Sequence, residues 1–467
     1  MNLNFHLGVI MSKSRTINMT KGNPLKLMLA FALPLMFANL GQQLYLIVDA
    51  IIVGKFVGVS AFAAIGAAEW AYYLPLWAIG ALTQGFAIPL AQAYGEKNIT
   101  KLKESAATIL VLCIICAIAF TLFFELAART FLQMLGTPDE IVSASHNYLF
   151  IMYLGIPVLI LYNMAGAVLR SLGDGKTPLL AIIVAACSNI VLDLIFILIF
   201  KWGLSGAAIA SVLAQLIAGL YCFYHVLKVP DLKLNRSHFS LKLINIYEAF
   251  KLGSALFIQH ALISIGGMIL QSSINKEGLI FIAGFAATNK IYGLLESSAI
   301  SIGHACTTYA AQNYGAKEYQ RIRKGSIKIL YVSIFISIGI ALMSILVGTY
   351  VLKLFIESNN ANSDKILAVS YRYLFTMACS LPILYVLFVT RSTIQGIGKI
   401  TIPLLSGLME FLARPLIALL VYKYYGGDSL FYAEPTAWAA AVILLLPAFF
   451  LLMRSLRKSE FLPKQLR

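Results

Sequence analysis

Runs of eighteen or more apolar residues recur along the whole of this 467-residue chain, and few folds can accept such a sequence. A run of that length crosses the ~30 Å hydrocarbon core of a bilayer as a helix. Only 12% of the residues are charged, against about 25% in a soluble protein, and 60% are hydrophobic. No soluble core accounts for that deficit. The alternating ten-residue segments of a transmembrane barrel are absent. The sequence therefore predicts an all-α membrane protein of twelve transmembrane helices. The first six cover 27–53, 61–90, 105–126, 141–168, 178–200 and 205–227. The second six cover 246–272, 279–311, 322–347, 366–396, 400–424 and 433–455. A charged connection at 228–245 separates an N-terminal lobe, 27–227, from a C-terminal lobe, 246–455, with polar ends at 1–26 and 456–467.

A net charge of +16 raises the question of nucleic acid, but the placement of the charges answers it. Lys and Arg gather in alternate loops, as the positive-inside rule requires. One set holds Lys13, Arg15, Lys21 and Lys26, then Lys97, Lys101 and Lys103, then Arg170 and Lys176. It continues through Lys228, Lys233, Arg236 and Lys242, through Lys317 to Lys328, and through Lys399 to Arg454, Arg457 and Lys458. The opposite loops carry single cations such as Lys55, Arg129, Lys201, Lys276 and Lys423. Both termini are thus expected in the cytoplasm of a multi-pass cell-membrane protein, with the bilayer and not nucleic acid as partner. The six cysteines all fall in apolar segments and read as small filler. No cleavable signal is visible, and either Met1 or Met11 can serve as the start.

The two halves repeat each other. AQAYGEKN at 91–98 matches AQNYGAKE at 311–318, 220 positions on, and LRSLGDGKTP at 169–178 matches IQGIGKITIP at 394–403, 225 positions on. Pro157 matches Pro382 at the second offset. Two like halves of six spans, both beginning on the same side, are parallel repeats related by an axis along the membrane normal, with a central cavity between them. Such an arrangement suits alternating access. These same stretches, with the opening GNPLKLMLAFALP and VDAIIVGKFVG at the end of the first span, resemble the multidrug and toxic compound extrusion (MATE) family over residues 20–455. The resemblance implies an antiporter that expels mostly cationic, amphipathic organic compounds against inward Na⁺ or H⁺. Flippases for lipid-linked oligosaccharides share the superfamily, and their arginine-lined cavity is not evident in this sequence. A non-transporting membrane receptor is a reading from another class, but it leaves the doubled lobes unexplained.

Asp49 lies inside the first apolar run, where a carboxylate costs roughly 2.5–3.5 kcal/mol on insertion scales. Asn189 and Asp193 are four apart in the fifth span and so share a face. Asp49, Asp193 and Ser211 stand at about one depth, roughly 6–10 Å below the outer surface. Oxygen-bearing groups at one level suit a proton or a desolvated Na⁺. The resemblance implies cation-binding roles for Asp49, Asn189 and Asp193, and a weaker one for Ser211 where a Thr is common. Pro34 offers a point at which the first helix can bend. At the same offsets the second half places no acid, so the cation site is expected once.

Further polar groups line the apolar segments. Glu69, beside Trp70, Tyr72, Tyr73 and Trp77, suits an organic cation through charge and cation–π contact, or faces lipid. Gln42, Lys290 and Glu296 are further cavity candidates, with Lys290 able to neutralise an acid there. Glu410 and Arg414 form an i, i+4 pair that is either a structural ion pair or a gate. His304 reads as an interior histidine or a proton carrier, and Gln259 is the polar residue of the seventh span. GDGKTP is a turn opening the next helix and lacks the spacing of a phosphate loop. Without a Walker motif, zinc set or nucleophile triad the chain is not expected to be an enzyme. It is expected to act as a monomer on small molecules, with no cofactor beyond the coupling ion.

Overall fold

The computed structural model describes residues 16–239, 242–354, 356 and 362–458; Met11 lies outside them. The helices are α1 Pro24–Phe56, α2 Val59–Phe86, α3 Ile88–Glu96, α4 Ile99–Met134, α5 Asp139–Leu154, α6 Ile156–Ser171, α7 Lys176–Asp193 and α8 Gly203–Leu227. After the connection come α9 Leu243–Ile274, α10 Leu279–Gly315, α11 Tyr319–Lys353, α12 Ser363–Gly396, α13 Thr401–Pro415, the short α14 Tyr422–Tyr425 and α15 Ala433–Lys458. No strand occurs among the described residues. Eleven of these segments are long and apolar enough to cross a membrane, and the bent pair α5–α6 makes a twelfth. The chain is a multi-pass membrane protein.

Local chemistry sets the starts of several helices. Asn23 accepts from the amides of Leu25 and Lys26, with Pro24 in the first turn of α1. Asp174, inside the GDGKTP turn, accepts from the amides of Lys176 and Thr177 and the hydroxyl of Thr177, and so opens α7. The repeat is visible in the backbone. Lys97 and Lys317 both take left-handed φ of 58° after α3 and α10. Six-residue π-helical turns, Leu194–Ile199 and Leu416–Val421, follow α7 and α13.

The repeat is also broken, for a local reason. Pro157 starts α6 after a 45° bend, whereas its counterpart Pro382 lies inside the unbroken α12. The bend falls at Gly155, where a β-carbon would press into Val212 of α8. The matching position in the other lobe is Ser380. Glycine there lets α8 come close enough to force the break.

Two cores result. One joins α2, α4, α5 and α6 through Phe86, Phe124, Leu149, Tyr153 and Leu159. The other joins α10, α11, α12 and α15 through Tyr309, Leu330, Tyr373, Leu384 and Trp438. Helix α1 divides itself between them. Met28, Phe31 and Leu35 pack in the second core, while Ile52 and Val53 pack on Ile197 and Ala207 beside α7 and α8. Pro34 lies within the part of α1 held by the second lobe, whose contacts run on to Asn39 on Ser301 and Gln43 on Gly293.

The lobes meet tightly at the face that carries the chain's ends, called here the terminal face. Helices α3 and α10 cross at Gly95 and Gly315, and a β-carbon on either would overlap the carbonyl of Gln312 or Gln92 on the other helix. Each glutamine then reaches across the seam. Gln92 Nε2 donates to the Gly396 carbonyl at 3.1 Å, and Gln312 Nε2 to the Ser171 carbonyl at 2.8 Å. Residues 17–19 are laid over this seam. The Ile17 amide donates to the Gly173 carbonyl at 3.0 Å, the Met19 amide to Gln312 Oε1 at 2.9 Å, and the Met19 carbonyl accepts from Asn313 and Arg321. The terminal face is therefore closed.

Because the crossing tolerates no β-carbon, Gly315→Val is expected to lower the thermal midpoint of the purified protein in detergent, by the equivalent of about 1–3 kcal/mol. Gly339→Ala, where an added β-carbon meets nothing within 4 Å, serves as the control and should leave the midpoint in place.

Candidate cation and substrate site

The fifth span ends in α7 with Asn189 and Asp193 one turn apart, and both side chains are fully buried. Ser211 of α8 is nearly so. Asn189 Nδ2 reaches Ser211 Oγ at 3.5 Å, a long contact, and Asn189 Oδ1 has no hydrogen-bond partner among the described residues. An acceptor left open beside a buried carboxylate is a setting for a cation, since an unpaired buried carbonyl costs about 1–3 kcal/mol. The position of Asp49 on α1 falls between Val48 and Ile52, which pack in one cluster with Ile190, Ile197 and Ala207. That register brings it level with α7 and α8; its side chain lies outside the described residues. The groups in hand offer oxygen only, the donor type that hard cations require. The π-helical turn directly after Asp193 interrupts the ordinary hydrogen-bond ladder at this depth, as such turns often do at functional sites.

The second lobe carries a different arrangement at the corresponding place. Its π-helical turn follows α13, and Glu410 and Arg414 stand before it, each one residue further from the turn than Asn189 and Asp193 are from theirs. The loop offsets set no acid opposite the first-lobe pair, and counted from the turn Asn189 and Asp193 correspond to Phe411 and Pro415, next to Glu410 and Arg414. Three residues fewer in α13 than in α7 shift the register along the helix. The expected Glu410–Arg414 pair is present at 3.6 Å, but each member has a nearer partner. Glu410 is bound by Arg391 of α12, and Arg414 Nη2 meets Glu434 of α15 at 2.7 Å, with Arg414 Nε also on Glu434 at 2.8 Å. Arg391 and Glu434 were not singled out in the sequence because neither has an opposite charge within a turn on its own helix.

The remaining candidates fall in several places. Glu296 is hydrogen-bonded to Tyr292 one turn away and lies in electrostatic range of Glu434, Arg414 and Glu410, so it borders this network. Tyr72 accepts from Gln215 Nε2 at 3.1 Å within the first lobe. Glu69 is half-buried on α2 with no hydrogen bond or ion pair among the described residues, and its neighbour Trp70 lies against Gly267 of α9 in the other lobe. Gln42 is half-buried on α1, and the adjacent Gln43 faces Gly293 of α10. Lys290 is exposed and makes no ion pair among the described residues, so the expected neutralisation of an acid is not seen. Gln259 is buried and accepts from Gln395 at 3.0 Å. Trp77 turns outward at 45% exposure, away from any site.

One basic residue is relocated. Arg170, assigned above to a loop, lies in the last turn of α6. Its side chain runs back over Gly166, into the bundle, as helical side chains lean toward their N-terminus. His304 sits in electrostatic range of both Arg170 and His260, and His260 in range of Arg391. Four basic groups from α6, α9, α10 and α12 thus follow one another across the lobe boundary.

Twelve spans in two repeated lobes, closed at one face and holding a buried carboxylate beside an open acceptor, define a membrane transporter. Comparison with known proteins agrees. The MatE family model matches residues 34–195 and 255–420. A probable multidrug resistance protein of Bacillus subtilis, YpnP, is 30% identical over 414 residues, covering 87% of this chain and 90% of that one. The multidrug export protein MepA of Staphylococcus saprophyticus is 22% identical over 325 residues, 69% of this chain and 71% of its own. A solved MATE transporter of the MOP superfamily in an outward-facing conformation superposes with a TM-score of 0.85 over 96% of this chain and 100% of that one, at 21% identity. The chain belongs to the MATE family of multidrug efflux transporters, and it is not an enzyme.

Removing Glu410 leaves two buried guanidinium groups to one carboxylate, Glu434. Glu410→Gln is expected to destabilise the protein by about 3–5 kcal/mol, read as the thermal midpoint in detergent. The double change Arg391→Met with Glu410→Met removes both charges and should lower the midpoint by less than the single one.

Proposed function

We propose that this transporter is a secondary antiporter that exports organic, amphipathic and mostly cationic compounds in exchange for inward Na⁺ or H⁺. One observation carries the reading: the buried oxygens of Asn189, Asp193 and Ser211 gather on α7 and α8 at the level where α1 brings in Asp49. Two carboxylates close together in a low-dielectric site cannot both stay ionised cheaply, so a cation or a proton is drawn to them. The near part of α1, Pro34 included, is held by the second lobe and the far end by the first. A change of charge at Asp49 and Asp193 therefore acts on a helix that both lobes hold, and Pro34 gives that helix a point at which it can bend.

Glu69 with Trp70, Tyr72 and Tyr73 supplies charge and ring faces for an organic cation. The terminal face is then the cytoplasmic one, and its closure corresponds to the state that faces outward. The excess of Lys and Arg in the loops on that side supports the orientation, with both termini in the cytoplasm of a cell-membrane protein. The chain works as a monomer with two lobes of six spans, binds no nucleic acid and needs no resident cofactor, the coupling ion being cargo.

The test is efflux of rhodamine 6G from proteoliposomes under a Na⁺ gradient and, separately, a pH gradient. One of the two should drive efflux in the wild type, and Asp49→Asn and Asp193→Asn should each reduce it to the protein-free background while the protein still inserts. Efflux that persists in both variants sinks the site. No efflux under either gradient sinks antiport and favours a lipid-linked substrate.

A further inference from the structure

Arg170 has no carboxylate partner among the described residues, unlike the buried Arg391 and Arg414. Arg391 has Glu410 and Arg414 has Glu434. Arg170 makes one side-chain hydrogen bond, from Nη2 to the neutral Gln84 Oε1 at 3.3 Å, and its buried Nε has no partner. The side chains in electrostatic range of it on α6 and α8 are Tyr162 and Cys222, neither of them a carboxylate. Facing it from α10 is His304, a further nitrogen donor, with His260 of α9 behind. A guanidinium at membrane depth without a counter-charge is expensive, and five donors in a rigid fork suit a planar or tetrahedral anion.

The setting is at the lobe boundary. Thr308 of α10 donates to the Arg170 carbonyl at 3.3 Å, and the next residue, Ser171, receives Gln312 across the closed seam. The Arg170 guanidinium lies just inside that seam, half-buried rather than sealed. A group bound there would lie directly above the closed face and would be reached from that face once the seam parts. Gln84 and His304 are repeat-related, 220 positions apart, and Arg170 matches the neutral Gln395 at the 225 offset of its own turn. The arginine at this level is therefore particular to the first lobe.

We propose that Arg170, with His304, anchors an anionic group, carboxylate or phosphate, carried by the transported compound. The inference rests on the transporter reading above and narrows its substrate class to amphipaths that bear an acid as well as, or in place of, a positive charge. Such a ligand supplies the counter-charge that α6 lacks and bridges α6 to α10 across the boundary, so its binding is coupled to the state of the seam.

The experiment is equilibrium binding to the purified full-length protein in detergent, which needs no ion gradient and so can fail or succeed independently of antiport. The probes are carboxyfluorescein, its methyl ester and the cationic rhodamine 6G. The wild type is expected to bind carboxyfluorescein about tenfold or more tightly than the ester, the loss of one charge-assisted contact. Arg170→Gln should abolish that difference, Arg170→Lys should restore part of it, and both should keep rhodamine 6G binding within about twofold. Adding phosphatidylglycerol separates the sources: displacement of carboxyfluorescein identifies a lipid phosphate as an occupant of the same anion site, and no displacement leaves the soluble compound as its ligand. Equal binding of acid and ester by the wild type overturns the proposal, whichever variants fold. So does an equal loss of all three probes in Arg170→Gln without recovery in Arg170→Lys.

Discussion

The crossing of α3 and α10 is the contact on which the rest of the structure depends. Neither helix can approach the other this closely unless Gly95 and Gly315 lack side chains. Only at that distance do the paired glutamines reach the opposite lobe, Gln92 to Gly396 and Gln312 to Ser171. Residues 17–19 then find a backbone partner on the first lobe and side-chain partners on the second. Apart from Arg321 on the Met19 carbonyl, these bonds join neutral groups. A neutral seam of a few hydrogen bonds, each worth only about 0.5–1.5 kcal/mol net, holds firmly yet can be undone by a modest change elsewhere. A seam of buried ion pairs would not separate so readily, since parting would strand each charge.

Charge is placed instead at the level of the π-helical turns, and there the lobes differ. In the second lobe Glu410 and Glu434 are already met by Arg391 and Arg414. Those guanidinium groups are tethered and cannot leave. In the first lobe Asn189 and Asp193 precede the equivalent turn, and Asn189 Oδ1 stays without a partner. The proposed cation there would do for the first lobe what a fixed arginine does for the second. An exchangeable charge on one side and a permanent one on the other makes one lobe responsive and the other a rigid reference. Helix α1 then links them, since its near half is built into the rigid core and its far half into the responsive side.

Much of this was legible in the sequence. Apolar runs of bilayer length set the twelve spans, and the two copies of AQxYG and of the following turn revealed the doubled lobes before any contact was known. Asn189 and Asp193 could be placed on one face from their spacing alone. What stayed hidden were partnerships between distant helices. Glu410 was paired with its i, i+4 neighbour, whereas the shorter contacts come from Arg391 and Glu434, nineteen to twenty positions away. The short form of α13 also moved Glu410 and Arg414 off the loop offsets, because an offset does not survive a three-residue loss within a helix.

Arg170 shows the same limit from the other direction. Loop charges are counted by position, and a basic residue five before GKTP reads as part of the turn. Yet α6 continues through it, and the tilt of helical side chains carries the guanidinium a full turn back, over Gly166. The residue is thus basic loop by number and bundle interior by geometry. The difference is physical: in the loop a guanidinium is hydrated and needs no partner, while inside the seam it has one neutral hydrogen bond and no acid. A charge left in that state within a transporter marks where cargo can complete the electrostatics that the protein leaves unfinished.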